Sequence, residues 1–113
     1  LADLVEQGHD GLDQINARLD ELLAPYRDQP IDAVVLGCTH YPFIGQLVAQ
    51  RFAQPVTLFT GYEGLGHNLI KQLDERQLLR QDHNPQQIEF MSSRQTKDEL
   101  ALYQQLFQNG IGI

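Results

Sequence analysis

A short apolar segment that ends in glycine and leads into a helical pattern is the feature that most constrains this sequence. Residues 31–36 are almost wholly apolar and rich in β-branched side chains, with Asp32 as the interruption. This composition is typical of a strand buried on both faces of a parallel sheet. Gly37 ends the segment, and Pro42 suits the first turn of a helix because its missing N–H would have no helical partner there. The sequence therefore predicts a strand, a short turn and a helix.

Helical periodicity flanks this strand on both sides. Between Gly11 and Pro30 the spacing of apolar residues predicts one amphipathic helix, and after Pro42 it predicts another. The apolar positions that carry the two patterns are Leu12, Ile15, Leu19, Leu22, Leu23 and Tyr26 in the first helix, and Phe43, Ile44, Leu47, Val48 and Phe52 in the second.

The alternation of strand and helix continues to the end of the chain. Residues 55–59 predict a second buried strand. The glycine-bearing stretch 61–66 predicts a turn and a helix entry. Its glycines do not have the spacing of a phosphate-binding loop. Residues 88–91 are a candidate third strand. Thr96-Lys97-Asp98-Glu99 is a capping box that opens a last helix, which Asn109-Gly110 would end.

The predicted fold class is α/β, with a parallel sheet in a three-layer αβα arrangement. Strands that alternate with helices imply right-handed crossovers, and strands buried on both faces require helices on both sides of the sheet. Three strands make a thin sheet with uncovered edges. Because the chain also begins with Leu1 and not with methionine, we expect it to be a piece of a longer protein.

Composition excludes several classes of protein. With 113 residues, 42% of them hydrophobic and 20% charged, the chain suits one modest globular core, which excludes a disordered, collagen-like or disulfide-rich chain. Eight basic residues against 15 acidic ones give a net charge of −7, so nucleic acid is not an expected partner. No apolar run approaches the ~20 residues of a membrane helix. A single cysteine and no secretion signal predict a cytoplasmic protein.

Candidate chemistry lies in the turn after the first strand, Gly37-Cys38-Thr39-His40-Tyr41-Pro42. In open α/β sheets, ligands bind at the carboxyl edge of the strands, where amides at a helix start face the ligand. Thr39, His40 and Tyr41 could offer such amides, and the same field favours a Cys38 thiolate. His40 is close enough in sequence to exchange a proton with Cys38 or with a substrate. The alternative is a buried, inert cysteine.

The string Asp32-Ala33-Val34-Val35-Leu36-Gly37-Cys38-Thr39-His40-Tyr41-Pro42 closely resembles the second cysteine motif of the glutamate racemases. Upstream, Leu4-Val5-Glu6-Gln7-Gly8 resembles the Leu-Val-Glu-x-Gly segment of the same family. Aspartate racemases share the Gly-Cys-Thr core but typically carry an acidic residue where His40 stands, so the resemblance favours the glutamate branch. Phe59-Thr60-Gly61 departs from the family, which usually has an aspartate followed by a small residue and glycine there.

The resemblance covers the C-terminal portion of a two-lobed racemase. It implies that residues 1–60 belong to the second α/β lobe, that residues 61–113 return to the first lobe, and that an N-terminal half with the other catalytic cysteine is missing. The family racemises glutamate without a cofactor and supplies D-glutamate for peptidoglycan, and hence for the bacterial cell wall and cell shape. Cys38, His40 and Glu6 would then be catalytic, and Thr39 and His40 would bind the glutamate substrate.

Other interpretations stay open at this point. The chain could be a non-catalytic α/β module that binds a small carboxylate or a partner protein, or a related racemase or isomerase that acts on aspartate. Glu6 could be a solvated charge, and Thr39 a helix cap. His9, His67 and His83 have no companions at metal-ligand spacing, so no metal site is expected. Self-association into a homo-oligomer is left open.

Overall fold

The computed structural model describes residues 1–110, in which short helices surround a small sheet. The α-helices are α1 (Ala2–Glu6), α2 (Leu12–Leu23), α3 (Gly45–Ala49), α4 (Tyr62–Glu75) and α5 (Lys97–Asn109). The strands are β1 (Ala33–Val35) and β2 (Thr57–Phe59). Turns of 3₁₀ helix span Gly8–Gly11, Ala24–Tyr26 and Tyr41–Ile44.

The sheet is a parallel pair, as expected for an α/β fold. β1 and β2 run side by side with Ala33 opposite Thr57 and Val35 opposite Phe59. The connection between them passes through the Tyr41–Ile44 turn and α3. The Leu36 N–H donates to the Phe59 carbonyl oxygen at 2.8 Å, so the two strands end at the same edge. The predicted α/β fold class is confirmed.

The core lies on one side of this sheet. Its buried members come from α1, α2, the residue after β1, the Tyr41–Ile44 turn and α3: Val5, Ile15, Leu19, Leu36, Ile44 and Val48. Ile15 and Leu19 are four residues apart and therefore share one face of α2. Helices α1, α2 and α3 thus bury their apolar faces against each other and against the near face of the sheet.

The prediction that both strands are buried on both faces is wrong for this chain. Val35 is 75% exposed and Phe59, its partner in the register, is 54% exposed. Side chains of a strand alternate between the two faces, so these two residues lie opposite the covered Val34 and Leu58. Within residues 1–110 the far face is thus largely uncovered at these two positions. The three-layer arrangement therefore remains a prediction.

The predicted third strand is also wrong. Residues 88–91 have no regular secondary structure. A strand needs a neighbour to pair its backbone N–H and C=O groups, and β1 and β2 form a two-stranded sheet without this segment. The segment instead lies beside α5, where the rings of Phe90 and Phe107 meet edge to face at 5.7 Å.

The last helix follows its sequence signals. Thr96 accepts a hydrogen bond on its side chain from the Glu99 N–H, which confirms the capping box. α5 ends at Gly110, whose φ of 61° lies in the left-handed region that favours glycine. Leu106 packs against the core, so α5 is tied to the first sixty residues. The predicted division between residues 60 and 61 stays a prediction. No helix in the described residues has both the length and the apolarity to cross a membrane.

Candidate active site

Three side chains that the sequence singled out come together at the carboxyl edge of the sheet. His40 lies between the other two: its Nε2 atom is 3.0 Å from Oε1 of Glu6, and its Nδ1 atom is 3.9 Å from Sγ of Cys38. Glu6 is the last residue of α1, whereas Cys38 and His40 belong to the turn after β1. The structure therefore places Glu6, His40 and Cys38 in one line of contacts.

Buried neighbours on each segment hold this line in place. Val5 is fully buried, which fixes the adjacent Glu6 at the end of α1. Leu36 and Ile44 are buried at the two ends of the segment that carries Cys38 and His40. Between these anchors the turn is closed by backbone hydrogen bonds, from the Tyr41 N–H to the Cys38 carbonyl and from the Phe43 N–H to the His40 carbonyl, each at 3.2 Å.

The environment of Cys38 favours the thiolate. The pKa of Cys38 is lowered mainly because the backbone N–H of His40 donates a hydrogen bond to the sulfur. The His40 side chain and the Tyr41 N–H lower it further, while partial desolvation opposes them. A thiolate is the form of cysteine that acts as a base or nucleophile. The surroundings of Cys38 therefore favour the deprotonated thiol more than those of an ordinary cysteine do.

The environment of His40 favours the imidazolium. The pKa of His40 is raised first by the hydrogen bond to Glu6 and second by the contact with Cys38. A carboxylate accepts the Nε2 proton, which directs Nδ1 toward the sulfur. In the charged ring Nδ1–H can donate to the thiolate, and in the neutral ring Nδ1 can accept from the thiol. This arrangement allows a proton to pass between Cys38 and His40.

Thr39 does not cap the following helical turn. Its Oγ1 atom is 3.3 Å from Nδ1 of His40, and the 3₁₀ turn Tyr41–Ile44 starts without a side-chain cap. The amides expected to face a ligand are also used differently. The His40 N–H is directed at the Cys38 sulfur and the Tyr41 N–H at the Cys38 carbonyl, and the Thr39 N–H is among the amides of this turn that have no partner in the described residues.

An open cavity of about 350 Å³ lies beside Cys38. One side is formed by the end of β1 and the turn that follows it: Leu36, Gly37, Cys38, Thr39 and Pro42. The other side is formed by the start of α4, through Gly61, Tyr62 and Leu65. In the sequence, residues 61–66 predict only a turn and a helix entry, and no motif there indicates that they line a site.

Histidines elsewhere do not extend the site. His9, His67 and His83 are exposed and lie outside the contacts of Cys38 and His40. Among residues 1–110, no three His, Cys, Asp or Glu side chains are grouped closely enough to hold a metal ion.

Comparison with curated proteins finds relatives that are named glutamate racemase. The chain is 32% identical over 107 residues to the glutamate racemase of Clostridium botulinum (strain 657 / Type Ba4), an alignment that covers 95% of this chain. The chain is a homologue of the glutamate racemases. It is also 40% identical over 73 residues to the glutamate racemase of Clostridium kluyveri, which covers 65% of this chain and 28% of that protein.

The similarity to glutamate racemases has a defined extent. The chain spans 42% of the length of the C. botulinum protein. No family model matches the chain, and no solved structure matches it. The racemase resemblance of the Cys38 motif and of the Glu6 segment is thus accompanied by similarity over almost the whole chain.

Proposed function

We propose that this chain supplies the second-cysteine half of a cofactor-independent glutamate racemase. The observation that carries the proposal is the line of contacts from Glu6 through His40 to Cys38, beside an open cavity at the carboxyl edge of the sheet. Homology to proteins named glutamate racemase supports the substrate, and the Gly-Cys-Thr-His sequence supports glutamate over aspartate.

The reaction needs two proton-transferring groups on opposite faces of the substrate α-carbon. A thiolate on one face takes the α-proton, so the C–H bond breaks, an S–H bond forms and the electron pair stays on the substrate. A thiol on the other face then donates its proton to that carbon, which inverts the centre. Cys38 provides one of these groups, because its pKa is lowered and it lies beside the cavity. The second cysteine would come from the missing N-terminal half.

His40 and Glu6 support proton transfer at Cys38. His40 takes the proton that leaves the thiol before Cys38 acts as a base, and stabilises the resulting thiolate by its charge. Glu6 accepts the Nε2 proton of His40, which orients the ring and stabilises its charged form. Glu6 is thus a positioning residue.

Thr39 is the proposed contact for the substrate carboxylate. Its amide has no other partner in the described residues, and it borders the cavity next to Cys38. Negative charge grows beside the α-carbon when the proton leaves, so a fixed N–H donor there stabilises the transition state more than the ground state. His40 forms the neighbouring part of this contact surface.

In the cell, the complete racemase would act in the bacterial cytoplasm and supply D-glutamate for peptidoglycan. Its partner would be the N-terminal half of the same enzyme, because the chain spans less than half of its relatives' length.

A chimaeric enzyme tests the function. The 107 aligned residues of the C. botulinum racemase are replaced by this chain, and the conversion of D- to L-glutamate is followed by optical rotation. We expect turnover by the chimaera and none by its Cys38→Ser variant. A folded chimaera that binds glutamate but fails to racemise it would contradict the proposal, as would two-way turnover by the Ser variant.

The same chimaera separates the alternative functions. Comparing D-glutamate with D-aspartate tests the substrate, and a clear preference for aspartate would contradict the interpretation of His40. A non-catalytic module with a structural Cys38 would react with iodoacetamide at the rate and pH dependence of an ordinary thiol. We expect instead faster alkylation near neutral pH.

A further inference from the structure

The pairing of the two strands brings the start of α4 alongside Cys38. Val35 lies opposite Phe59, and the Leu36 N–H donates to the Phe59 carbonyl at 2.8 Å. Cys38 follows two residues after Leu36, and Gly61 follows two residues after Phe59. Because both chains leave the sheet at the same edge, the first turn of α4 is placed next to the cysteine.

Tyr62 and Leu65 form the α4 side of the cavity that contains Cys38. They are three residues apart on the helix and therefore lie on the same face. Their side chains are 59% and 71% exposed, so little of their apolar surface is used in packing within the chain. That surface is available to a molecule in the cavity.

The size of the cavity suits a small ligand. Its volume of about 350 Å³ is at the lower end of the ~300–1,000 Å³ that is usual for small-molecule pockets. Thr39 and Cys38 supply polar groups on one side, while Tyr62 and Leu65 supply mainly apolar surface on the other. Glutamate has a similar division over part of its length, with polar groups at the α-carbon and two methylene groups before its terminal carboxylate.

We propose that Tyr62 and Leu65 are specificity-determining residues that contact the side-chain carbons of the amino-acid substrate and limit the size of the molecule that reaches Cys38. This inference rests on the proposed racemase function for the identity of the substrate. The steric part concerns only access to the sulfur, and it is measurable without turnover.

Alkylation of Cys38 tests directly whether Tyr62 and Leu65 limit access to the sulfur, since Cys38 is the single cysteine of the chain. The thiolate displaces iodide from iodoacetamide or from its bulkier N-phenyl derivative, forming a sulfur–carbon bond in both reactions. The ratio of the two rates reports steric access, because the thiolate fraction is common to both. We expect Tyr62→Ala and Leu65→Ala each to raise the ratio of bulky to small reagent several-fold.

Leu69→Ala is the matched control. Leu69 is 60% exposed on α4, one turn beyond Leu65, and does not line the cavity. Its variant should keep the wild-type ratio. Circular dichroism verifies that all three variants retain their helices. An unchanged ratio in both Tyr62→Ala and Leu65→Ala, or an equal rise in Leu69→Ala, would overturn the inference.

Substrate selection is tested in the chimaera. Truncation of Tyr62 or Leu65 should raise the rate with 2-aminoadipate, one methylene longer than glutamate, relative to the rate with glutamate. An unchanged preference in an active chimaera would overturn the inference and leave the proposed function intact. A chimaera that racemises neither acid would contradict the proposed function. If truncation of Tyr62 or Leu65 still raises the ratio of bulky to small reagent, the steric role of these two residues is supported all the same.

Discussion

Nε2 of His40 lies 3.0 Å from Oε1 of Glu6, although the two residues are 34 positions apart in the sequence. The pair joins the end of α1 to the turn after β1 and sets the direction of the imidazole. His40 is 30% exposed and Glu6 55%, so solvent screens the pair and its contribution to folding is small. Its consequence is chemical: the other ring nitrogen faces Cys38.

Replacing Glu6 should raise the pKa of the Cys38 thiol. Glu6→Gln removes the charge that raises the pKa of His40, so the imidazolium is lost at a lower pH. The thiolate then loses part of its stabilisation over the neutral range, and its pKa moves up toward the ordinary value of a thiol. The pH profile of iodoacetamide alkylation, measured on the chain itself, should shift to higher pH.

Glu89→Gln provides the control for this shift. Glu89 is an exposed carboxylate on the irregular segment before α5, away from the contacts of His40. Its variant removes the same charge from the chain and should leave the alkylation profile in place. Coincident profiles for Glu6→Gln and the unaltered chain would show that Glu6 does not act on the site.

His40→Asn should slow racemisation while the fold persists. The side chain is partly exposed and outside the buried core, so the melting temperature should change little. If His40 assists proton transfer, the chimaera should lose roughly 10²- to 10⁴-fold in rate. The loss in kcat should differ between the two directions because His40 neighbours only one of the two bases. Unchanged kinetics with both enantiomers would reduce His40 to a structural role.

Cys38→Ser should abolish racemisation but leave α-proton exchange by the base on the opposite face. A serine hydroxyl is a much weaker acid than a thiol and does not replace it as a base near pH 7. The base on the opposite face is intact, so one enantiomer of glutamate should still exchange its α-proton with deuterated water. Proton NMR of both enantiomers measures this. Exchange from both at the unaltered rate would exclude Cys38 as a base.

The chain by itself should not racemise glutamate. It contains one cysteine, whereas the proposed mechanism needs a group on each face of the α-carbon. The assay uses purified chain freed of the host racemase. Sustained turnover that disappears in Cys38→Ala would show that self-association or a single-base route suffices, which contradicts the two-half proposal.

Arg51→Ala should destabilise the fold by about 1–3 kcal/mol. The Arg51 side chain is 12% exposed and joins α3 to α2, donating to the Leu47 carbonyl at 3.1 Å and to Oδ1 of Asn16 at 2.6 Å. Its Nε atom is 3.3 Å from Oδ1 of Asp20 but is not aligned for a hydrogen bond, so that contact adds charge attraction alone.

The comparison for Arg51 is Arg18→Ala. Arg18 pairs with Glu21 on the exposed side of α2 and should contribute less than about 1 kcal/mol. Urea unfolding of both variants measures the difference in the free energy of unfolding. Equal losses would show that the partly buried hydrogen bonds of Arg51 add nothing to stability beyond what a surface pair contributes.

Local features were predictable because their causes lie within a few residues. The Thr96–Glu99 capping box, the helix end at Gly110 and the position of Pro42 in a first helical turn all depend on neighbouring backbone groups. The placement of Cys38 and His40 after a strand follows in the same way. The spacing of apolar residues likewise determined that α2 buries Ile15 and Leu19.

Features that depend on distant segments were decided by the tertiary structure alone. The apolar sequence of β1 does not specify whether another layer covers its far face, and Val35 is left exposed there. Residues 88–91 have strand composition, but a strand exists only where a partner pairs its backbone groups. Tyr62 lines the same cavity as Cys38 because the register of β1 and β2 ends both strands at one edge, a relationship between segments that no local pattern encodes.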